Sequence, residues 1–307
     1  MKGYDMMDKT WLLAGVEFDD GDIVAAMLPD GSLVSIDAVP EGLSPLDVVR
    51  RWDEFAPLLM SWRPEAANKL VGGRLVAPIR YPAKLLLTAA NYPDHRVEFD
   101  VEEGEGAAGR VYLFFKPPTT SIIGDRDEVL IRGVADAIDW EAEVAVVIGK
   151  RGRFIDREDA LDHIAGYTLV NDISARGAFE QPRPEHPAVQ YDWIAHKAQD
   201  THCPIGPGML PAWFVDDPDD IPFTLTLNGV VEQSGNTKDL IHDIRAIVSS
   251  ASEYMTLEPG DIIATGTCGG VGAGHGRYMV DGDVVVVASP LLGTLTNTIR
   301  DIRRLAT

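Results

Sequence analysis

Residues 139–149, Asp-Trp-Glu-Ala-Glu-Val-Ala-Val-Val-Ile-Gly, place two glutamates at the start of an otherwise apolar segment. From Val144 onward the segment is rich in β-branched residues and ends at a glycine, which is typical of a buried strand. Side chains two residues apart on a strand point to the same face, so Glu141 and Glu143 project together, with Cα atoms roughly 6.6 Å apart. The fold must therefore accommodate two carboxylates on one face at the start of this strand.

The two glutamates would repel each other strongly if both were charged and buried. Two like charges ~4 Å apart repel by about 4 kcal/mol at an effective dielectric constant of roughly 20. A raised pKa, basic partners or a bound divalent cation would make such a pair tolerable. The alternative is an exposed strand end at which both glutamates are solvated, and the spacing alone does not decide between the two arrangements.

The charge balance narrows the class of partner. The 307 residues include 27 basic and 48 acidic side chains, a net charge of −21, which argues against nucleic acid and against an anionic membrane. A small anionic substrate stays compatible, because a metal ion or a few local cations can reverse the field inside one cleft. Two cysteines are too few for a disulfide framework, and no apolar run approaches the ~20 residues of a membrane span, so a cytoplasmic protein is expected.

Residues 1–78 are predicted to form a small N-terminal α+β domain, and residues 79–307 a larger second domain. Short apolar runs alternate with turn signals over residues 11–38, which predicts a small antiparallel sheet. Ser44 followed by Pro45 is typical of the N-terminus of a helix. We expect this domain to serve stability or dimer contacts.

A histidine and a glutamate follow the next apolar run. If a helical turn begins there, His95 and Glu98 lie three residues apart and their side chains can touch. A glutamate orients an imidazole and raises its basicity, as a general base requires, although such a pair is often only structural. Residues 100–109 are acidic and rich in glycine, which favours a mobile flap.

More polar residues follow the apolar run at residues 167–170. Asp172 either caps the turn that follows or faces Glu141 and Glu143 as a third carboxylate. Arg176 lies four residues further along and can reach back toward the same point. The sequence leaves both interpretations of Asp172 open.

The last third of the chain contains a lysine, two histidines and a glycine-rich loop. Lys197 lies in an apolar, turn-rich segment, where lysines are more often at the surface than catalytic. His196 and His202 are interpreted as structural, because neither has a partner at the spacing of a zinc site. The periodicity of residues 237–254 predicts a long helix. The loop at residues 265–272 can approach a ligand with its backbone, but it lacks the context of a dinucleotide fingerprint.

A set of short motifs occurs in a fixed order between roughly residues 80 and 300. They are Asn91-Tyr92…His95…Glu98, Phe115-Lys116-Pro117, Glu141-Ala142-Glu143, Asn171-Asp172…Ser174-Ala175-Arg176, Lys197, Pro204-Ile205-Gly206-Pro207, Asn228-Gly229…Gln233, Pro259-Gly260-Asp261 and Thr265-Gly266-Thr267. No single motif is specific, but the ordered set resembles the fumarylacetoacetate hydrolase family. The resemblance implies an α+β, β-rich fold: a mixed β-sandwich roll as the catalytic domain, behind the small N-terminal domain, in a homodimer.

The resemblance also implies a divalent-metal site and its neighbours. Mg²⁺ or Mn²⁺ would be held by Glu141, Glu143 and Asp172, and three acidic oxygen donors with room for water suit such a hard ion. The resemblance implies that His95 and Glu98 together activate the attacking water. It also implies that Lys197 and Arg176 are cations facing the substrate, and that Thr267 contacts the substrate through its hydroxyl. Three departures from the family pattern leave the exact substrate open: Gly177 where an aspartate is frequent, Ala198-Gln199-Asp200 after the lysine, and Cys268 where a proline is frequent.

The implied activity is hydrolysis of a C–C bond in a small anionic 2,4-diketo acid, such as an acylpyruvate, through a metal-stabilised enolate. His95 would take the proton of the attacking water. The alternatives within the family are oxaloacetate-type decarboxylation, 2-hydroxymuconate-type isomerisation and dehydration of a 2-keto-3-deoxy sugar acid. A non-catalytic protein that keeps the metal for stability is a further class, against which the presence of His95, Glu98 and Lys197 argues.

Overall fold

The computed structural model describes residues 10–19, 21–65, 68–98, 109–133, 136–180 and 184–304. Strands dominate these residues, and the helices between them are short. The strands are β1 Leu12–Phe18, β2 Gly21–Met27, β3 Leu33–Ser35, β4 Arg74–Val76, β5 Leu85–Thr88, β6 Leu113–Phe115, β7 Ile122–Ile123, β8 Glu128–Ile131, β9 Ile138–Asp139, β10 Ala142–Ile148, β11 Ile164–Asn171, β12 Ser174–Ala175, β13 Cys203–Pro211, β14 Pro222–Leu227, β15 Val230–Asn236, β16 Ile262–Ala264, β17 Val284–Ser289 and β18 Gly293–Asp301. The α-helices are α1 Pro45–Arg50, α2 Trp52–Ser61, α3 Pro93–Glu98, α4 Trp193–Lys197 and α5 Ile244–Tyr254.

Most of the strands belong to two mixed sheets. The larger sheet has the order β3-β2-β1-β13-β11-β10-β16-β5-β6, with β4 beside β1 and β7 beside β13. The second sheet has the order β15-β14-β17-β18-β8, and β9 pairs separately with β12. Most neighbouring strands are antiparallel, whereas β16 with β5, β13 with β7 and β18 with β8 are parallel. The predicted α+β, β-rich fold is confirmed.

Strand β10 is buried over its whole length and positions the candidate site. Its side chains alternate between two apolar cores, as the two-residue period of a strand requires. Val144 packs in the core that also contains Leu225 of the second sheet, whereas Ala145 lies in the core on the opposite face. Since Glu141 and Glu143 share the parity of Ala145, both point to that opposite face, at the end of the strand.

The N-terminal strands continue the larger sheet, since β1 pairs with β13 at Leu13 and Met209. The predicted helix start is confirmed. The Ser44 hydroxyl accepts a hydrogen bond from Asp47 N, and the Asp47 carboxylate accepts one from Ser44 N, which together form a capping box. The domain boundary after residue 78 stays a prediction.

The helix predicted for residues 237–254 is shorter than expected. Asp243 caps α5, since its carboxylate accepts a hydrogen bond from Ala246 N at 2.9 Å, so the helix begins at Ile244. Residues Thr237–Asp239 form a separate 3₁₀ turn. Among the described residues, no helix is long and apolar enough to span a membrane.

Candidate metal centre and active site

Three carboxylates come together where β10 and β11 meet. Ala142 pairs with Asn171 in the antiparallel ladder, and Asp172 N donates a hydrogen bond to Glu141 O at 2.8 Å, so Asp172 lies beside Glu141. One carboxylate oxygen from each of Glu141, Glu143 and Asp172 lies within 4.8 Å of the others. Glu141 is 5% exposed and Glu143 is 1% exposed, which rules out a solvated strand end.

Lys197 lies inside this cluster. Its Nζ is 2.8 Å from Glu141 Oε2, 2.6 Å from Asp172 Oδ2 and 2.7 Å from Ser174 Oγ. Lys197 is the last residue of α4 and is buried, so it does not lie at the surface, where lysines in such a segment are more often found. Burial alone would lower the pKa of Lys197, but the charges of Asp172 and Glu141 outweigh burial and raise it.

A second buried lysine contacts the other carboxylate oxygen of Asp172. Lys116 Nζ is 2.6 Å from Asp172 Oδ1 and donates a hydrogen bond to Ile173 O at 2.8 Å. The sequence reasoning gave Lys116 no role. The feature of the sequence that could have indicated a buried lysine is its position directly after the apolar strand β6, from which a side chain can point into the protein.

Arg176 joins the same network through two contacts. Its Nε is 2.9 Å from Asp139 Oδ2, and its terminal NH2 is 2.6 Å from Glu141 Oε1. The structure therefore places the guanidinium against protein carboxylates, and its role toward a substrate stays a prediction. Asp139 was also missed from the sequence, although it begins the segment that contains both glutamates.

The glutamates differ in their electrostatic surroundings. Burial raises the pKa of Glu141, but the charges of Lys197 and Arg176 outweigh burial and hold it well below its ordinary value. Burial, together with the negative charges of Asp172 and Glu141, raises the pKa of Glu143 well above its ordinary value. Within the described residues Glu143 has no ion pair, and its Oε2 accepts a hydrogen bond from Gly266 N at 2.6 Å.

This donor set fits a hard divalent cation. Three carboxylates converge within the reach of one ion, and the repulsion that acts on Glu143 is of the kind that a bound cation relieves. All three donors are oxygens, which suits Mg²⁺ or Mn²⁺ better than Zn²⁺.

The histidine–glutamate pair forms as predicted on α3. His95 Nδ1 is 3.1 Å from Glu98 Oε2, and Glu98 Oε1 accepts a hydrogen bond from Gly270 N at 2.6 Å. Asn91, shortly before α3, also binds the glycine-rich loop, since its Nδ2 donates a hydrogen bond to Thr265 O at 2.9 Å. The flap predicted for residues 100–109 lies outside the described residues, apart from Gly109.

Thr267 holds the glycine-rich loop against β10. Its hydroxyl donates a hydrogen bond to Ala142 O at 2.8 Å and accepts one from Gln233 Nε2 at 2.8 Å. Gln233 Oε1 in turn accepts a hydrogen bond from Ala142 N at 2.9 Å. The hydroxyl therefore has partners within the protein, and the predicted contact of Thr267 with a substrate stays a prediction.

The motif order, the two-sheet architecture and the buried acidic cluster agree with one family. A family model described as Fumarylacetoacetate (FAA) hydrolase C-terminal matches residues 84–300. The chain belongs to the fumarylacetoacetate hydrolase family. Members of this family that resemble it carry the names of hydrolases, isomerases and tautomerases. The chain is thus related to enzymes that act on keto acids.

Three members of the fumarylacetoacetate hydrolase family illustrate this range. The 2,4-didehydro-3-deoxy-L-rhamnonate hydrolase of Sphingomonas sp. is 35% identical over 245 residues, 78% of this chain and 82% of the relative. The oxaloacetate tautomerase YisK of Bacillus subtilis is 32% identical over 302 residues, 94% of this chain and 96% of the relative. The crystal structure of maleylpyruvate hydrolase from Sphingobium sp., in complex with manganese(II) and pyruvate, matches with a TM-score of 0.72 at 28% identity, covering 94% of this chain and 99% of that one.

Proposed function

We propose that this chain is a divalent-metal-dependent hydrolase that cleaves a C–C bond in a small 2,4-diketo acid and uses Mg²⁺ or Mn²⁺. The observation that carries the proposal is the His95–Glu98 pair beside the buried carboxylate cluster. The same glycine-rich loop binds both groups, since Gly266 N donates a hydrogen bond to Glu143 Oε2 at 2.6 Å and Gly270 N donates one to Glu98 Oε1 at 2.6 Å. A general base next to a metal site is what attack by water on a carbonyl carbon requires.

Glu141, Glu143 and Asp172 would hold the ion. When bound, a divalent ion supplies a Lewis acid for the carboxylate and 2-keto oxygens of the substrate. The Lys197 ammonium adds positive charge at the same place, where negative charge develops as the pyruvate fragment leaves. His95 takes a proton from water, and the resulting hydroxide adds to the distal carbonyl carbon. The C–C bond then breaks with its electrons going to the pyruvate fragment, and the protonated imidazole returns the proton to the carbon that has lost the bond, which restores the neutral base. Glu98 orients the imidazole and offsets the charge that it gains.

We also propose a homodimer, in line with the family resemblance. Large apolar side chains near α4 and β6 support it, since Ile194 is 74% exposed and Phe115 is 53% exposed. The two elements are adjacent, because the ring centroids of Trp193 and Phe114 lie 5.1 Å apart, and exposed apolar side chains on adjacent elements are typical of a surface that another chain covers.

Keto–enol tautomerisation of oxaloacetate is the second candidate. The similarity to the B. subtilis oxaloacetate tautomerase favours this candidate, because the match spans 96% of that relative. The same carboxylate cluster and Lys197 would serve this reaction, which moves a proton between carbon and oxygen and needs no attacking water. The two candidates therefore differ in the task of His95.

Product analysis separates the candidates. The purified protein is incubated with an acylpyruvate and with oxaloacetate, each with Mg²⁺, with Mn²⁺ and with a chelator. We expect metal-dependent release of pyruvate and the free acid from the acylpyruvate. Accelerated enol–keto exchange or decarboxylation of oxaloacetate without any cleavage of the acylpyruvate would overturn the hydrolase proposal.

A further inference from the structure

Asp139 is a fully buried carboxylate that receives four hydrogen bonds. Its Oδ1 accepts from Trp140 N at 2.9 Å and from Gly272 N at 2.7 Å, and its Oδ2 accepts from Ala273 N at 3.1 Å and from Arg176 Nε at 2.9 Å. A buried carboxylate with partners on both oxygens has a single well-defined orientation. Asp139 therefore joins three segments of the chain at one point: the start of the β10 segment, the glycine-rich loop and the residue after β12.

The arginine side of this junction leads to the carboxylate cluster. Arg176 contacts Asp139 with Nε and Glu141 with its terminal NH2. A planar guanidinium held at two of its nitrogens has little freedom to rotate. Asp139 therefore fixes where the positive charge of Arg176 lies relative to Glu141, and hence how much of the Glu141 charge stays available for a metal ion.

The loop side leads to the histidine–glutamate pair. Asp139 accepts hydrogen bonds from Gly272 N at the end of the glycine-rich loop and from Ala273 N directly after it. Two residues before Gly272, Gly270 N donates a hydrogen bond to the Glu98 carboxylate. The approach is close, since a Cβ added at Gly272 would lie 2.8 Å from Asp139 Oδ1 and 1.9 Å from Arg277 O. No side chain fits at that position without displacing backbone, so the loop can take this path only with glycine there.

We propose that Asp139 is a positioning residue that sets the placement of Arg176 against Glu141 and of the loop that holds Glu98. One buried carboxylate thereby determines how the carboxylate cluster and the His95–Glu98 pair lie relative to each other. The predicted effect of Asp139 on kcat rests on the proposed function. The predicted effect on metal binding rests only on the geometry of the carboxylate cluster.

The test uses Asp139→Asn, which keeps the shape but loses the charge and replaces one acceptor by a donor. Mn²⁺ binding is measured calorimetrically with the metal alone, and kcat and KM are measured with the acylpyruvate that the wild type cleaves. We expect a fall of roughly 10- to 100-fold in Mn²⁺ affinity and in kcat, the usual effect of removing a residue that orients metal ligands, with KM within about threefold of the wild type. The matched control is Glu232→Gln, which removes a carboxylate that pairs with Arg277 near the same loop but outside the cluster.

Three outcomes would overturn the proposal. They are a wild-type Mn²⁺ affinity and kcat in Asp139→Asn, an equal loss in Glu232→Gln, and a rise in KM without a fall in kcat. If Asp139→Asn does not fold, Arg176→Lys tests the same contact from a partly exposed position, and wild-type values in that variant overturn the proposal as well. Where both fold, the double variant should be no worse than the poorer single variant, and multiplied losses would contradict action through Arg176.

Failure of the proposed function can be distinguished from failure of this inference. If the wild type cleaves no diketo acid, the hydrolase proposal fails. The Mn²⁺ affinities of the wild type, Asp139→Asn and Arg176→Lys still decide whether Asp139 positions the cluster.

Discussion

Replacing Glu143 by glutamine is expected to weaken Mn²⁺ binding by at least about 100-fold and to remove turnover, since a lost ligand costs more than the 10- to 100-fold typical of an outer partner. Glu143 is the one carboxylate of the cluster without an ion pair among the described residues. Its carboxylate therefore forms no ion pair that a bound cation would have to displace, and a bound cation would favour its ionised form. The measurement is calorimetric titration with Mn²⁺, together with activity at saturating metal.

The same substitution should not destabilise the metal-free protein. Burial and the neighbouring carboxylates raise the pKa of Glu143, so an ionised Glu143 is disfavoured in the absence of an ion, and a neutral amide removes that conflict. We expect the melting temperature without metal to stay equal or to rise, whereas the increase that Mn²⁺ produces in the wild type should disappear. The control is Glu128→Gln on the surface, whose carboxylate pairs with Arg300. A Glu143→Gln variant that binds Mn²⁺ as tightly as the wild type would exclude Glu143 as a ligand.

Replacing His95 by alanine is expected to lower kcat for acylpyruvate cleavage by about 10²- to 10⁴-fold, the usual contribution of a general base. Mn²⁺ affinity should change little, because His95 is paired with Glu98 and is not one of the clustered carboxylates. Kinetics and metal titration on the same preparation check both parts. His275→Ala is the matched control, since the side chain of His275 is 45% exposed.

The His95 variant also separates the two candidate functions. If tautomerisation of oxaloacetate is the activity and needs no activated water, His95→Ala should keep most of it. Wild-type cleavage of the acylpyruvate by His95→Ala would contradict the assignment of the base.

Local patterns allowed part of the site to be predicted from the sequence. The two-residue period of a strand placed Glu141 and Glu143 on one face, and the i, i+3 spacing brought His95 to Glu98. Both inferences need only the geometry of a single element. Whether the glutamates were buried could not be derived in this way, because their burial depends on what the other strands cover.

Contacts between distant segments were less accessible from the sequence. The position of Asp172 depends on the register of β10 and β11, which pairs Ala142 with Asn171, and residue spacing left two interpretations open. Lys116 and Asp139 received no role because each acts through partners far along the chain, among them Asp172 and Gly272. The five-residue helix α4, too short for any periodic signal, carries Lys197 into the interior.

The central claim is that one divalent ion binds between β10 and β11, and the position of Mn²⁺ in crystals of the wild-type protein tests it most directly. Anomalous diffraction from crystals grown with Mn²⁺ should show a peak within coordination distance of oxygens from Glu141, Glu143 and Asp172, and no such peak in Glu143→Gln. A peak elsewhere, or none at this site at a saturating Mn²⁺ concentration, would contradict the claim.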